Sequence, residues 1–348
     1  VNGLLLLGIE TSCDETAAAI VRDGRVVLAQ NIASQMDVHA RFGGVVPEVA
    51  SRRHVAVVTR VVADTLSQAG LVFADLDGIA VTYGPGLLGA LLVGVSAAKG
   101  MALASGLPLV GVHHIAGHVA AALLADEADA GARLPALALV VSGGHTEILQ
   151  VDERFGFTRL GGTIDDAAGE AYDKVARLLG LAYPGGPKLD QLALTGNPEA
   201  YTFPRSLIDA ANFDFSFSGL KTAVANELNR RRQKGEAVDI ADVAASFQQA
   251  VCDVLVEKTA RAVAATGLHR VVVAGGVAAN QGLRRALTER AAEDGFTVVF
   301  PPLRLCTDNA AMIAAAGYFA MRRGLRHDLR LNAHATVSLA DWQCGRVV

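Results

Sequence analysis

The chain has 348 residues, 51% of them hydrophobic and only 19% charged, with a net charge of −4. At about 150 residues per domain this length predicts two domains, each able to bury a sizeable core. The charge excludes a globally basic nucleic-acid binder, and four cysteines (Cys13, Cys252, Cys306 and Cys344) without a C-x-x-C pair exclude a zinc ribbon or disulfide scaffold and fit a reducing cytoplasm.

The opening VNGLLLLGIE has four leucines and no cationic flank, so it reads as a core strand and not a signal peptide. The apolar run meets a polar loop, ETSCDET, resumes as AAAIV, turns at Asp23-Gly24 and resumes as RVVLAQ. This is strand, loop, strand, hairpin turn, strand. Residues 86–113 are nearly uncharged, but Lys99 interrupts them and SGLPLVG breaks them, which predicts a buried helix, a turn and a short strand, with no membrane span.

VHHIAGHVAAALL follows. His114 and His118 are four apart and share one helical face, whereas His113 points elsewhere. Two ligands do not make a metal site. About 132 residues after the first hairpin its form returns as LALVV, the loop SGGHT, EILQV and GFTRL, which predicts a duplicated supersecondary unit.

TIDDAAGEAYDKVARLLGL predicts a helix over 166–179 that ends at Gly180, and YPGGP a rigid turn before a second helix beginning near Lys188. Asp165 and Asp166 at the helix start read as dipole partners or as site residues; Asp173 lies deeper. The strands in DGIAVTYGPG and RVVVAGGVAANQGLRRAL both run into glycine-rich turns and then helices, where backbone N–H groups favour an anion or nucleotide. There is neither a G-x-G-x-x-G after a first strand nor a P-loop. The class is α/β, and two glycine-rich hairpins with a late strand-GG-helix have the form of the actin, Hsp70 and sugar-kinase type of two-lobed fold. The expected lobes are 1–132, completed by a C-terminal helix at about 308–325, and 133–307, with a helical insert at about 165–235.

In RLCTDNAAMIAAAGYFAM, Thr307 and Asp308 begin an apolar helix, where Asp308 either caps the helix or coordinates. His114, His118 and Asp308 together would offer two imidazoles and a carboxylate with open positions, a set that suits iron(II) or zinc(II) equally and could polarise a carbonyl. The zinc-protease pattern H-E-x-x-H is absent.

These stretches together, from GIETSCDETAAAIV and PEVASRRH through GPGLLGALLVG, HHIAGH, VVSGGHTEI, DDAAGEAYDKVARLLGL, YPGGP, FSFSGLKTAV and VAGGVAANQGLR to CTDNAAMIA, resemble the bacterial branch of the tRNA threonylcarbamoyladenosine synthesis family, the TsaD type. The resemblance covers nearly the whole chain. It implies an actin-like fold and an acyltransferase that moves the threonylcarbamoyl group from threonylcarbamoyl-AMP to N6 of the adenosine 3′ of the anticodon in tRNAs reading codons that begin with A, forming t6A.

The resemblance also implies a metal, iron(II) before zinc(II), on His114, His118 and Asp308. Val140, Val141, Ser142, Gly143 and Gly144, with Asp173, Gly186, Asp190 and Asn280, would hold the donor, and ATP or ADP fits the same site. The implied partners are tRNA, an inactive paralogue of the TsaB type as a heterodimer, and a small P-loop ATPase of the TsaE type, in the cytoplasm. Asp14, Glu15 and His145 are candidates near the reacting group, with no general base assigned. The competing readings are a small-molecule carbamoyltransferase and an ATPase of the same fold.

Overall fold

The computed structural model describes residues 3–124 and 133–345. The chain divides into two compact units, the first comprising Val1–Leu134, Val151–Phe157 and Pro301–Val348, the second Pro135–Gln150 and Thr158–Phe300. The expected boundary at residue 132 lies outside the described residues.

The first unit begins with the antiparallel strands β1 (Leu5–Glu10), β2 (Glu15–Arg22) and β3 (Val26–Ser34). Asp23 (φ 55°) and Gly24 (φ 66°) turn the β2–β3 hairpin, the left-handed pair that a two-residue turn demands. After α1 (Met36–Ala40) and α2 (Pro47–Ala69), β4 (Gly78–Gly84) pairs parallel with β1, and beyond α3 (Leu88–Ser105) β5 (Leu109–His113) pairs parallel with β4. The order is β3-β2-β1-β4-β5. Helix α4 (His114–Ala121) leaves β5 directly, with His113 as its N-cap.

Helix α3 departs from the expected buried helix. It buries Ala90, Leu91, Gly94, Val95, Ala98 and Ala102, yet Leu88, Leu92 and Leu103 are exposed, Leu103 to 71%. By length and composition it is apolar enough to cross a membrane, and it packs on β4 and α2 along its small-residue face.

The second unit repeats the plan. Strands β6 (Ala136–Val141), β7 (Thr146–Val151) and β8 (Phe157–Gly162) precede α5 (Ala168–Leu178), α6 (Gly185–Ala193), α7 (Ser218–Lys234) and α8 (Ile240–Thr266). Then come β9 (Arg270–Ala274), α9 (Gln281–Asp294) and β10 (Thr297–Val299). The order β10-β9-β6-β7-β8 is that of the first sheet, element for element, so the duplication legible in the hairpins extends to the whole sheet.

Two expected helix starts move. Helix α6 begins at Gly185, ahead of Lys188, because Asp173 Oδ1 accepts the N–H groups of Gly185 (3.0 Å) and Gly186 (3.1 Å) and fixes its first turn. Helix α5 begins at Ala168, and Asp165 does not serve it. Its carboxylate accepts from the hydroxyls of Ser216 and Ser218 and the N–H groups of Phe217 and Ser218, at the head of α7. The dipole reading of Asp165 at the start of α5 therefore fails, and the carboxylate sits instead at the N-terminus of a helix that begins 53 residues on. Asp166 pairs with Lys174 at 2.7 Å.

The chain returns to the first unit with α10 (Ala310–Arg322) and α11 (Leu339–Gln343). Helix α10 is buried from Ala310 through Gly317, which its nearly all-apolar sequence permits, and it packs against α4 and β1. A Cβ on Gly8 would lie 2.3 Å from the Ala310 carbonyl oxygen, so a bare glycine in β1 lets the start of α10 settle there.

Candidate active site

That packing brings two distant stretches of the first unit together. His114 and His118 stand one turn apart on α4, and Asp308 sits just ahead of α10. Nε2 of His114 and Nε2 of His118 lie 3.5 and 3.3 Å from the same oxygen, Asp308 Oδ1, and one ligand atom from each residue falls within 4.8 Å of the others. Bonds of about 2.1 Å to a tetrahedral ion require ligand atoms about 3.4 Å apart, a spacing the two histidine–aspartate distances match, so the set could hold one divalent metal. The capping alternative for Asp308 fails, since Asn309 is the N-cap of α10 and its Oδ1 accepts the N–H of Met312 at 2.9 Å. Asp308 is thereby left for the histidines.

The electrostatics are those of a cation site. Burial works against a charged His114, but the carboxylates of Asp308 and Glu10 outweigh it and hold the imidazole up at about 9. Burial likewise opposes charge on Asp308, and the two imidazoles bring it down to about 2. A metal would take the place of the proton that this imidazole–carboxylate cluster now holds.

Sequence reasoning missed two residues that hold this centre. Glu10, wholly buried at the end of β1, lies with Oε2 3.2 Å from His114 Nδ1 and accepts the Thr82 hydroxyl at 2.7 Å. His54 on α2 anchors the hairpin loop. Its Nε2 is 2.9 Å from the Cys13 carbonyl, which can only accept, so Nε2 carries the hydrogen. Its Nδ1 then accepts the Thr16 hydroxyl at 2.7 Å, and burial keeps the ring neutral by pushing its pKa down. The available signal was a lone charged residue closing an apolar strand, and a histidine in register with buried positions of α2.

In the same loop, burial and then the neighbouring Asp14 push the Cys13 thiol up, which rules out a thiolate nucleophile. Burial, Asp14 and Asp308 also raise Glu15 to about 9, so in this state it holds a proton and cannot begin as a base.

In the second unit, Val140 and Val141 end β6, and Ser142, Gly143 and Gly144 make the corresponding loop. The loop closes on itself, as Ser142 N–H donates to the His145 carbonyl (2.8 Å) and His145 N–H to the Ser142 hydroxyl (3.1 Å). Helix α5 is seated beside it, since Ala168 N–H donates to the Thr146 hydroxyl and Gly169 N–H to the Ser142 carbonyl. At Gly275, which follows β9 with φ +92°, a Cβ would lie 2.4 Å from the Val141 carbonyl oxygen. A Cβ on Gly143, Gly144 or Gly276 would meet nothing within 4 Å. These three bare positions border open space, where a ligand can reach the backbone.

The remaining expected donor-site residues form one network beside this loop. Asp190 of α6, 6% exposed, accepts Gln281 N–H through Oδ2 at 3.0 Å, and its Oδ1 is buried without a partner. Asn280 caps α9 through Leu283 N–H and donates to Gln248, which also takes the Tyr172 hydroxyl. Asp173 and Gly186 are joined by the α6 contact already described. The structure thus places His114, His118 and Asp308 together in one unit, and Asp173, Gly186, Asp190, Asn280 and the Val140, Val141, Ser142, Gly143 and Gly144 segment within the other.

The chain is similar to known proteins over nearly its full length. The family described as tRNA N6-adenosine threonylcarbamoyltransferase, TsaD, matches residues 26–315. Proteins of that name are 56% identical over 335 residues in Geobacillus thermodenitrificans (96% of each chain) and 53% identical over 341 residues in Bacillus subtilis (98% of this chain, 97% of the relative). Among solved structures, HypF of T. kodakarensis gives a TM-score of 0.62 at 16% identity, covering 92% of this chain and 48% of that one. Component A of the Acidaminococcus fermentans (R)-2-hydroxyglutaryl-CoA dehydratase gives 0.54 at 18% identity, covering 90% and 98%. These two share the actin-like α/β fold. With the sequence relationship spanning nearly the full length, the chain belongs to the TsaD family, the tRNA N6-adenosine threonylcarbamoyltransferases.

Proposed function

We propose that this chain transfers the threonylcarbamoyl group of threonylcarbamoyl-AMP to N6 of the adenosine 3′ of the anticodon in tRNAs reading codons that begin with A, forming t6A. The observation that carries the reading is the His114, His118 and Asp308 cluster, with Asp308 released from capping by Asn309, on a chain of this family. The adenine amine attacks the carbamoyl carbon, the bond from that carbon to the phosphate oxygen breaks, AMP leaves, and the nitrogen loses one proton.

His114, His118 and Asp308 would hold a divalent metal, iron(II) first and zinc(II) second by donor type. When bound, it supplies a Lewis-acid charge for the acyl carbonyl. Within the segment Val140, Val141, Ser142, Gly143 and Gly144, the bare backbone at Gly143 and Gly144 would meet the phosphate, while the Ser142 N–H is held by the His145 carbonyl. The unpartnered Asp190 Oδ1 can accept a hydrogen bond from the nucleotide, while Asp173 and Asn280 keep α6 and α9 in place around it. ATP or ADP would occupy the same site. Asp14, in the hairpin loop between β1 and β2, is the candidate for taking the amine's proton, and Glu15, raised to about 9, would serve by ordering a water.

We also propose that the lobes follow the 1–132 and 133–307 division with a helical insert at 165–235, and that the protein acts in the cytoplasm. The exposed Val55 of α2 and Leu88, Leu92 and Leu103 of α3 support a covered surface in a heterodimer with an inactive TsaB-type paralogue. A TsaE-type ATPase would complete the set. Because the chain is acidic overall, part of the surface that attracts tRNA would come from these partners.

The test is nucleoside mass spectrometry of unmodified tRNA incubated with this chain, its partners, the adenylate-forming enzyme, threonine, bicarbonate and ATP. Wild type forms threonylcarbamoyladenosine, and His114→Ala does not. ATP turnover or a carbamoylated small molecule without modified tRNA would overturn the reading.

A further inference from the structure

A buried carboxylate is costly unless its oxygens are matched by donors, and Glu10 is 0% exposed. Its partners account for both oxygens. Oε1 accepts Ser12 N–H, and Oε2 accepts the Thr82 hydroxyl at 2.7 Å and faces His114 Nδ1 at 3.2 Å. The Ser12 hydroxyl approaches the same nitrogen at 3.2 Å. Across the ring, His114 Nε2 faces Asp308. The imidazole therefore has a carboxylate at each nitrogen, one of them in the ligand cluster and one outside it.

His118 has no such support. Its Nε2 also faces Asp308, but its Nδ1 is buried with no hydrogen-bond partner. Two histidines on one helix face thus differ in what stands behind them.

We propose that Glu10 is a positioning residue for the metal centre, accepting the Nδ1 hydrogen of His114 so that Nε2 is presented, lone pair outward, as the better of the two imidazole ligands. A carboxylate behind a ligating histidine fixes its tautomer and ring orientation and makes the other nitrogen more basic. Thr82 is part of the device, because its hydroxyl holds the Glu10 oxygen that faces the ring. This inference rests on the reading that His114, His118 and Asp308 bind a metal.

The experiment titrates cobalt(II), as a visible-absorption probe, and zinc(II) into the metal-free full chain as wild type, Glu10→Gln, Thr82→Val and His118→Ala. Wild type binds one equivalent. Glu10→Gln still binds one equivalent, but roughly 10- to 100-fold more weakly, with shifted cobalt absorption bands and an unchanged melting temperature for the metal-free chain. Thr82→Val, which leaves the carboxylate in place, shifts the bands the same way with a smaller loss of affinity. Wild-type affinity and spectrum in Glu10→Gln would overturn the proposal. If that variant does not fold, Thr82→Val decides, and unchanged binding there overturns it. If wild type binds no metal, or His118→Ala binds as tightly as wild type, the metal reading itself fails, whatever Glu10 does.

Discussion

The loops that join β1 to β2 and β6 to β7 hold the same place in two sheets of identical order, and they share almost no chemistry. The first runs Thr11, Ser12, Cys13 and Asp14 between Glu10 and Glu15, is pinned from below by His54, and lies in the unit that holds two imidazoles and Asp308. The second is Ser142, Gly143, Gly144 and His145, has no acid, and leaves bare backbone beside open space. Duplication kept the strands, whose pairing and apolar register constrain every residue. The loops, free of that constraint, diverged: the first is acidic and its Ser12 hydroxyl reaches His114 of the histidine–aspartate cluster, whereas the second presents bare glycine backbone.

Removing the cation side gives the largest effect. His118→Ala takes away a nearly buried ligand, and losing a Lewis acid worth several kcal/mol should lower the transfer rate roughly 10²- to 10³-fold, with metal content by elemental analysis falling below one equivalent. On the phosphate side, Gly143→Val adds a side chain whose Cβ meets no protein atom within 4 Å, at a position without positive φ. Donor affinity should fall about 10²-fold while metal content and melting temperature stay as in wild type.

The neighbouring Gly275→Ala sharpens the contrast. Its Cβ would press on the Val141 carbonyl from a left-handed backbone, so it should cost about 1–3 kcal/mol of stability in chemical denaturation. A glycine kept for the ligand and a glycine kept for the fold then separate by what each substitution damages.

The smallest effect lies outside both loops. Burial works against the charge on Asp165, but hydrogen bonds from Ser216, Phe217 and Ser218 hold its carboxyl below the usual value of 3.8. A carboxylate lowered on folding contributes fully above its unfolded-state value, and the contribution is lost as pH falls through the lower folded one. Asp165→Ala should cost about 1 kcal/mol at neutral pH, and the difference from wild type should shrink in acid. Thermal melts at several pH values would show this.

How much of this was legible in the sequence depends on how local each cause is. The hairpins, the β5–α4 step, the histidine pair and the repeat follow from short patterns, and the sheets confirm them. The helix starts did not follow, because Asp165 serves a helix that begins 53 residues on and Asp173 draws α6 forward through backbone N–H groups that no pattern exposes. Asp308 could be read as cap or ligand until Asn309 was seen to do the capping. Glu10 was passed over because nothing in GIETS says that Thr82 and His114 arrive beside it. The half-exposed α3 misled in the other direction, since an apolar helix reads the same whether its second face meets protein or not.

The most direct test of the division of labour sets Asp308→Asn beside Gly143→Val and measures, for each, bound metal and affinity for AMP. The account predicts a crossed result: Asp308→Asn loses metal and binds AMP as wild type does, and Gly143→Val keeps its metal and loses AMP. If either substitution removed both ligands from a folded protein, the histidine–aspartate cluster and the glycine loop would not be doing separate work, and the account would be contradicted.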